Sequence, residues 1–129
     1  MHIHHIGIWT ENIELMKNFY TEFFGCKAGE KYENRAKGFE SYFLNFEDGS
    51  KIELMHKKEI FTAGESEKIF GLAHIAIEVE NKDKVCELTD KLRAKGYKIF
   101  SEPRVTGDGY YESSILDPEG NMVEIVCVP

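Results

Sequence analysis

The sequence predicts an α+β protein built from two tandem βαβββ units, and three features support this fold class. A motif near the N-terminus, His5 to Asn12, recurs at His74 to Asn81 with five of its eight positions identical and an offset of 69 residues. A second motif, Asp48 to Leu54, matches Glu119 to Ile125 at an offset of 71 residues. Between these motifs, apolar residues alternate as in strands or recur every three or four residues as in helices. The ordered matches indicate duplication of a unit about half the chain long.

Each unit is predicted to open with a strand, at residues 3–9 and 72–79, and to continue with a helix. Asn12 and Asn81 stand where helix N-caps are expected, and Gly25 and Gly96 stand where the helices should end. The predicted apolar stripes comprise Leu15, Met16, Phe19, Tyr20, Phe23 and Phe24 in the first helix, and Val85, Leu88 and Leu92 in the second. Three further strands are predicted in each unit, at residues 27–33, 39–46 and 51–56 and at residues 97–103, 111–116 and 122–128.

Tight turns are predicted between the last two strands of each unit, at Asp48–Gly49 and Glu119–Gly120. The domain boundaries follow from this pattern. Residues 1–56 form the first unit, the polar residues 57–71 form a linker, and residues 72–129 form the second unit.

The composition excludes several classes of protein. A net charge of −7, with the basic residues scattered among acidic ones, argues against a nucleic-acid partner. The chain has no apolar run of the roughly 18 residues that a membrane helix needs, and its first residues do not resemble a signal peptide. The three cysteines, an odd number without a CxxC motif, are typical of reduced thiols. We therefore expect a cytoplasmic protein without a membrane partner.

Four repeat-related residues are candidate metal ligands. Side chains alternate between the two faces of a strand, so His5 and Glu53 should point away from the apolar face of the first unit. His74 and Glu124 should do the same in the second unit. Two imidazoles and two carboxylates suit a divalent ion such as Ni²⁺, Co²⁺, Zn²⁺, Mn²⁺ or Fe²⁺, and no nucleotide cofactor is expected.

Small residues follow each candidate histidine. Gly7 and Ala76 lie two residues beyond the histidines and should leave room beside the ion. Three other histidines have no partner in the repeat, and we assign them no function: His2, His4 and His56.

The chain resembles the vicinal oxygen chelate superfamily, also called the glyoxalase/bleomycin-resistance/dioxygenase group, over nearly its whole length. The resemblance is carried by five segments: His5–Ile8, Asn18–Tyr20 before Phe24–Gly25, Lys51–Leu54, Leu72–Ala76 and Leu116–Asn121 leading to Val123–Ile125. It implies a glyoxalase-like fold with curved sheets around a metal-lined cleft, and a homodimer. The His, Glu, His, Glu set is similar to that of glyoxalase I, also called lactoylglutathione lyase.

The resemblance also implies a reaction. The metal acts as a Lewis acid on two neighbouring substrate oxygens, while a carboxylate takes a proton from the carbon next to a carbonyl and returns it to the adjacent carbon. Glu124 is our first choice for this base and Glu53 is the alternative. The substrate is expected to be a small, possibly thiol-conjugated compound.

Six residues are candidates for substrate binding: Trp9, Arg35, Tyr42, Met55, Arg104 and Tyr111. Trp9 stands where glutathione-using members tend to carry an arginine, so another small α-hydroxycarbonyl or dicarbonyl compound is equally compatible with the resemblance. Two alternatives stay open. One is a small-molecule binding or resistance protein without turnover, and the other is an epimerase or dioxygenase of the same superfamily.

Overall fold

A computed structural model describes residues 4–58, 72, 74–107 and 109–129 of the chain. The chain divides into two compact units, Met1–Ile69 and Phe70–Pro129, which we call unit 1 and unit 2. No helix in the described part of the chain is both long and apolar enough to cross a membrane.

In its described residues, unit 1 has one α-helix packed on a single open, curved sheet. Its elements, in chain order, are β1 (Ile6–Trp9), α1 (Ile13–Phe24), β2 (Lys27–Ala28), β3 (Tyr32–Asn34), a 3₁₀ turn (Arg35–Lys37), β4 (Phe39–Asn45) and β5 (Lys51–Lys57). The strand order is β1-β5-β4-β2, and β3 also pairs with β4.

Unit 2 repeats this arrangement. Its elements are β6 (Ile75–Glu78), α2 (Lys82–Ala94), β7 (Ile99–Val105), β8 (Tyr111–Leu116) and β9 (Met122–Cys127), and its strand order is β6-β9-β8-β7. In both units the first strand, β1 or β6, runs parallel to the last, β5 or β9. The strand before the last, β4 or β8, pairs antiparallel with the last strand on one side and with β2 or β7 on the other. The predicted α+β class with two βαβββ units is therefore confirmed.

Both helices begin and end where the sequence predicts. The Asn12 side chain accepts a hydrogen bond from the Leu15 amide, and the Asn81 side chain accepts one from the Lys84 amide. These bonds satisfy amides that have no partner within the helix. The helix-ending Gly25 and Gly96 have φ values of +67° and +85°, which is the left-handed region that favours glycine.

Each helix packs its apolar face against one face of its own sheet. In α1 the buried residues are Ile13, Met16, Phe19, Tyr20 and Phe23, whereas Leu15 is exposed. In α2 the buried residues are Val85, Thr89 and Leu92. The hydroxyl groups of Thr89 and Ser113, which are both buried, hydrogen-bond to each other at 2.7 Å. This bond satisfies two polar groups inside the core of unit 2.

Several strands differ from the sequence prediction. The strands predicted at residues 3–9 and 72–79 begin later, at Ile6 and Ile75. The predicted strand at residues 27–33 is interrupted, because β2 and β3 pair separately with the two ends of β4. The strand predicted at residues 97–103 begins at Ile99, since the Tyr97 amide still bonds to the Leu92 carbonyl at the end of α2. The linker predicted at residues 57–71 lies outside the described residues from residue 59 onward, and Lys57 is the last residue of β5.

The turn between β8 and β9 is organised by one buried side chain. The Asp117 carboxylate accepts hydrogen bonds from the amides of Glu119 and Asn121 and from the Asn121 side chain, at 2.8–3.0 Å. Gly120 has a φ of +87°, as the turn requires. This turn fixes the start of β9, the strand that carries Glu124.

Candidate metal centre

In unit 1 the pairing of β1 with β5 brings the first candidate pair together. Ile52 and Leu54 of β5 are buried, so Glu53 between them projects from the opposite face of the sheet. The parallel register places Gly7 beside Glu53, and His5 lies two residues before Gly7. As a result, His5 Nε2 lies 3.4 Å from Glu53 Oε2.

Unit 2 forms the equivalent pair at the equivalent register. Val123 and Ile125 are buried, and Glu124 projects from the other face of its sheet. Ala76 lies beside Glu124 in the register of β6 and β9. His74 Nε2 lies 3.3 Å from Glu124 Oε2. We call the sheet face that carries Glu53 or Glu124 the glutamate face of its unit.

The two pairs have similar surroundings as well as similar geometry. The side chains of Glu53 and Glu124 are each 19% exposed, and those of His5 and His74 are 37% and 42% exposed. Each pair is therefore half-shielded by its own sheet but open on the imidazole side.

The separation within each pair fits two neighbouring ligands of one ion. Two donor atoms that each lie about 2.1 Å from an ion are about 3.0 Å apart at a right angle and about 4.2 Å apart on opposite sides of the ion. The observed 3.3–3.4 Å is closer to the first value. A shift of either donor atom by a few tenths of an ångström would bring the two atoms to the separation expected at a right angle. Within each unit the described residues bring together two His, Cys, Asp or Glu side chains at this point, and no group of three or more.

Two neighbours of His5 were not predicted from the sequence. The Nδ1 atoms of His4 and His5 lie 2.9 Å apart in hydrogen-bond contact. Phe43, directly opposite Glu53 in the register of β4 and β5, packs its ring edge-on against the His5 ring at 5.3 Å between centroids. Both contacts help to orient the His5 ring with Nε2 toward Glu53. The repeat does not point to the first contact, because His4 has no counterpart in the second unit.

The comparisons with known proteins agree with this architecture. The family model of the Glyoxalase/Bleomycin resistance protein/Dioxygenase superfamily matches residues 2–125. The chain belongs to this superfamily.

Relatives within the superfamily span a range of similarity. The chain is 29% identical to the uncharacterized protein YqjT of Bacillus subtilis, and the match covers 97% of this chain and 98% of that protein. Glyoxalase I from Zea mays is 25% identical, with a TM-score of 0.78 over 95% of this chain. This chain spans only 43% of the maize structure.

A glyoxalase family protein from Enterococcus faecalis is 24% identical, with a TM-score of 0.80 over 97% of this chain and 96% of the other. The trypanothione-dependent glyoxalase I of Leishmania major is also 24% identical, with a TM-score of 0.79 over 98% of this chain and 86% of the other. At this identity the two structures establish the shared fold.

Three of the predicted substrate-binding residues lie on the glutamate faces of this superfamily member. Trp9 and Met55 lie side by side in the register of β1 and β5, two residues beyond Gly7 and Glu53. Arg104 pairs with Glu112 on the glutamate face of unit 2, with 3.6 Å between the guanidinium and the carboxylate.

The other three lie elsewhere. Tyr42 lies on the helix face of unit 1, where its hydroxyl donates a hydrogen bond to Glu14 of α1. Tyr111 lies on the helix face of unit 2, where its hydroxyl contacts the Cys86 sulfur of α2 at 3.3 Å. Arg35 is 94% exposed in the 3₁₀ turn. The sheets therefore separate Tyr42 and Tyr111 from the histidine–glutamate pairs of their own units.

Gly7 has a different role from the one predicted. A Cβ atom at this position would lie 2.8 Å from the terminal methyl group of Met55. The missing side chain therefore makes room for Met55, which shares the glutamate face of unit 1, rather than leaving open space beside an ion.

Proposed function

We propose that this chain is a metal-dependent, glyoxalase I-like enzyme that moves a proton next to the carbonyl of a small substrate, possibly conjugated to a thiol. One observation carries the proposal. The same imidazole–carboxylate pair, at 3.3–3.4 Å, stands at the same sheet register in both units. A histidine–glutamate contact on one strand pair is unremarkable, but its repetition at equivalent positions is unexpected for surface residues without a shared role.

In this proposal His5, Glu53, His74 and Glu124 are the ligands of one divalent ion, chosen from Ni²⁺, Co²⁺, Zn²⁺, Mn²⁺ and Fe²⁺. When bound, the ion supplies Lewis acidity toward two neighbouring substrate oxygens. The four ligands come either from one chain or from the two chains of the homodimer that we also propose. Sedimentation at micromolar concentration tests the dimer, and a monomer there contradicts it.

The chain itself supplies the proton transfer. A glutamate carboxylate takes the proton from the carbon next to the carbonyl and returns it to the neighbouring carbon. We assign this role to Glu124, with Glu53 as the alternative. The two carboxylates are equally shielded and differ in their cross-strand neighbours. Ser114 lies opposite Glu124, whereas the apolar Phe43 lies opposite Glu53.

Trp9, Met55 and Arg104 are the residues that we retain as substrate contacts, because each lies on a glutamate face. The three cysteines are all free thiols, which supports a reducing compartment such as the cytoplasm.

The assay for this proposal does not depend on knowing the thiol. Small 2-oxoaldehydes, offered with and without a panel of thiols, are incubated with metal-loaded protein in D₂O, and NMR follows isomerisation and deuterium incorporation. Glu124→Gln should lower turnover by about 100-fold or more while the protein keeps most of its metal, because an amide oxygen still binds an ion but cannot accept the proton.

Glu87→Gln on α2 is the matched control, since Glu87 is exposed and pairs with Lys84 in its own helix. If Glu124→Gln retains full turnover and Glu53→Gln loses it, Glu53 is the base. A protein that binds no metal but retains a small molecule would instead support the non-catalytic binding alternative, and O₂ consumption would identify a dioxygenase.

A further inference from the structure

The two glutamate faces differ sharply in one row of side chains. In each sheet this row lies two residues along the strands from the glutamate. We call it the flanking row. In unit 1 it consists, in register, of Trp9, Met55, Ser41 and Tyr32. In unit 2 the equivalent row consists of Glu78, Val126, Glu112 and Arg104.

The flanking row of unit 1 presents exposed aromatic rings. Phe39 stands between Trp9 and Tyr32, with ring centroids 6.3 Å and 6.1 Å away from theirs. The planes of Trp9 and Phe39 are nearly perpendicular, at 87°. Phe39 therefore packs edge-on against Trp9 and at a tilt against Tyr32. Trp9 and Tyr32 remain 52% and 56% exposed.

Fold alone does not require these rings. The two units share their topology, their register and the small residue–glutamate pair. Unit 2 therefore shows that the same sheet forms with other residues in this row. There the row holds an arginine, Arg104, that faces a glutamate, Glu112, at 3.6 Å. Large aromatic side chains that are half exposed gain little from burial, and they commonly mark a surface that receives a ligand.

The distance from the glutamate suits a ring attached to the reacting carbon. Met55 and Trp9 lie two residues beyond Glu53 and Gly7, which is roughly 6.6 Å along a strand. An aromatic group bonded directly to a carbonyl at the His5–Glu53 pair would extend further toward Trp9 than a methyl group would.

We propose that the substrate carries a flat aromatic group next to its chelating oxygens, and that Trp9 and Tyr32 hold this group on the glutamate face of unit 1. This inference rests on the proposed function, because it assumes that the substrate oxygens lie at the histidine–glutamate pairs. It assigns unit 1 the recognition of the apolar part of the substrate.

Two chelators that differ only in the attached group provide the test. Benzohydroxamic acid and acetohydroxamic acid both offer two neighbouring oxygens to a metal ion, and only the first carries a ring. Calorimetry on the metal-loaded wild-type protein should give about tenfold tighter binding of benzohydroxamic acid, after correction for the affinity of each chelator for the free ion. Trp9 is the single tryptophan of the chain, so benzohydroxamic acid should also change its fluorescence more than acetohydroxamic acid does.

Substitutions in the flanking row test which residues produce the preference for benzohydroxamic acid. Trp9→Ala and Tyr32→Ala should each reduce the ratio of the two affinities to about threefold or less, because each removes a ring that only the aromatic chelator is expected to contact. Trp9→Phe, which keeps a ring, should retain most of the ratio. Leu15→Ala is the matched control, because Leu15 is an exposed apolar residue on α1 and its loss should change neither affinity.

The outcomes separate this inference from the proposed function. Equal affinities of the two chelators for wild-type protein would overturn the aromatic inference and leave the metal site standing. Failure of both chelators to bind metal-loaded protein would overturn the metal site and this inference together. A Trp9→Ala protein that keeps its preference but no longer forms dimers would show that the flanking row meets a second copy, which also overturns the inference.

Discussion

Replacing Asp117 with alanine should strongly destabilise unit 2. The Asp117 carboxylate is only 4% exposed and accepts three hydrogen bonds within the β8–β9 turn. The substitution removes all three and leaves the half-buried amides of Glu119 and Asn121 without this acceptor. At about 1 kcal/mol for each lost bond, the free energy of unfolding should fall by about 3 kcal/mol.

The equivalent turn of unit 1 provides the control. Asp48 accepts hydrogen bonds from the amide and hydroxyl of Ser50, but all of these groups are exposed to water. Asp48→Ala should therefore lower the free energy of unfolding by less than about 1 kcal/mol. Asp117→Asn should fall between the two, because the amide retains one acceptor oxygen.

Urea-induced unfolding of metal-free protein, followed by circular dichroism, measures these differences without a contribution from bound metal. A loss below about 1 kcal/mol for Asp117→Ala, or a loss equal to that of Asp48→Ala, would refute the reasoning that burial of the carboxylate makes its hydrogen bonds valuable.

Two further predictions concern titratable groups. Burial raises the pKa of the Cys26 thiol to about 11, so a thiol reagent at pH 8 should modify Cys26 much more slowly than Cys86 or Cys127. Mass spectrometry of the labelled peptides measures the order of modification. Early labelling of Cys26 would contradict the prediction. A hydrogen bond from the Lys17 ammonium lowers the pKa of Glu14 from 4.5 to about 2, so this carboxylate stabilises the fold above pH 4.5 and loses that effect as the pH falls toward 2. Glu14→Gln should cost less than about 1 kcal/mol at pH 7, because the carboxylate is half exposed, and the cost should vanish near the lower pH; a cost that does not change with pH would contradict the assignment.

The repeat made most of the fold predictable from the sequence. Two copies of one motif at nearly constant offset indicated the element order, and the capping residues Asn12 and Asn81 marked the helix starts. The alternation of side chains in β5 and β9 was sufficient to place Glu53 and Glu124 opposite the buried residues, because each glutamate stands between two aliphatic residues of its strand.

The other strands gave no such contrast. In β4, Tyr42 alternates with Phe43, so both faces look apolar and hydropathy does not reveal which one meets the helix. Tyr111 in β8 is ambiguous for the same reason. The spacing of four residues between Leu15 and Phe19 places Leu15 in the predicted apolar stripe of α1, yet Leu15 is exposed. A step of four residues turns the helix by about 400°, which moves each successive side chain about 40° around the axis and places Leu15 at the edge of the buried face.

The alternation pattern of the sequence does not predict the contacts around His5. The His4–His5 hydrogen bond joins neighbours in the chain whose side chains alternation would send to opposite faces, and it forms because His5 precedes the first residue of β1. The packing of Phe43 against His5 depends on the register of β4 and β5, which the sequence of either strand alone does not specify.

Metal content of the wild-type, His5→Ala and His74→Ala proteins tests the central claim most directly. If both histidine–glutamate pairs hold one ion, the wild-type protein should contain one ion per chain by elemental analysis, and either substitution should remove most of it. Circular dichroism spectra of the variants should match that of the wild-type protein, since both histidine side chains are more than one-third exposed. Two ions per chain, with each substitution removing only one of them, would show that the pairs act separately and would contradict the account.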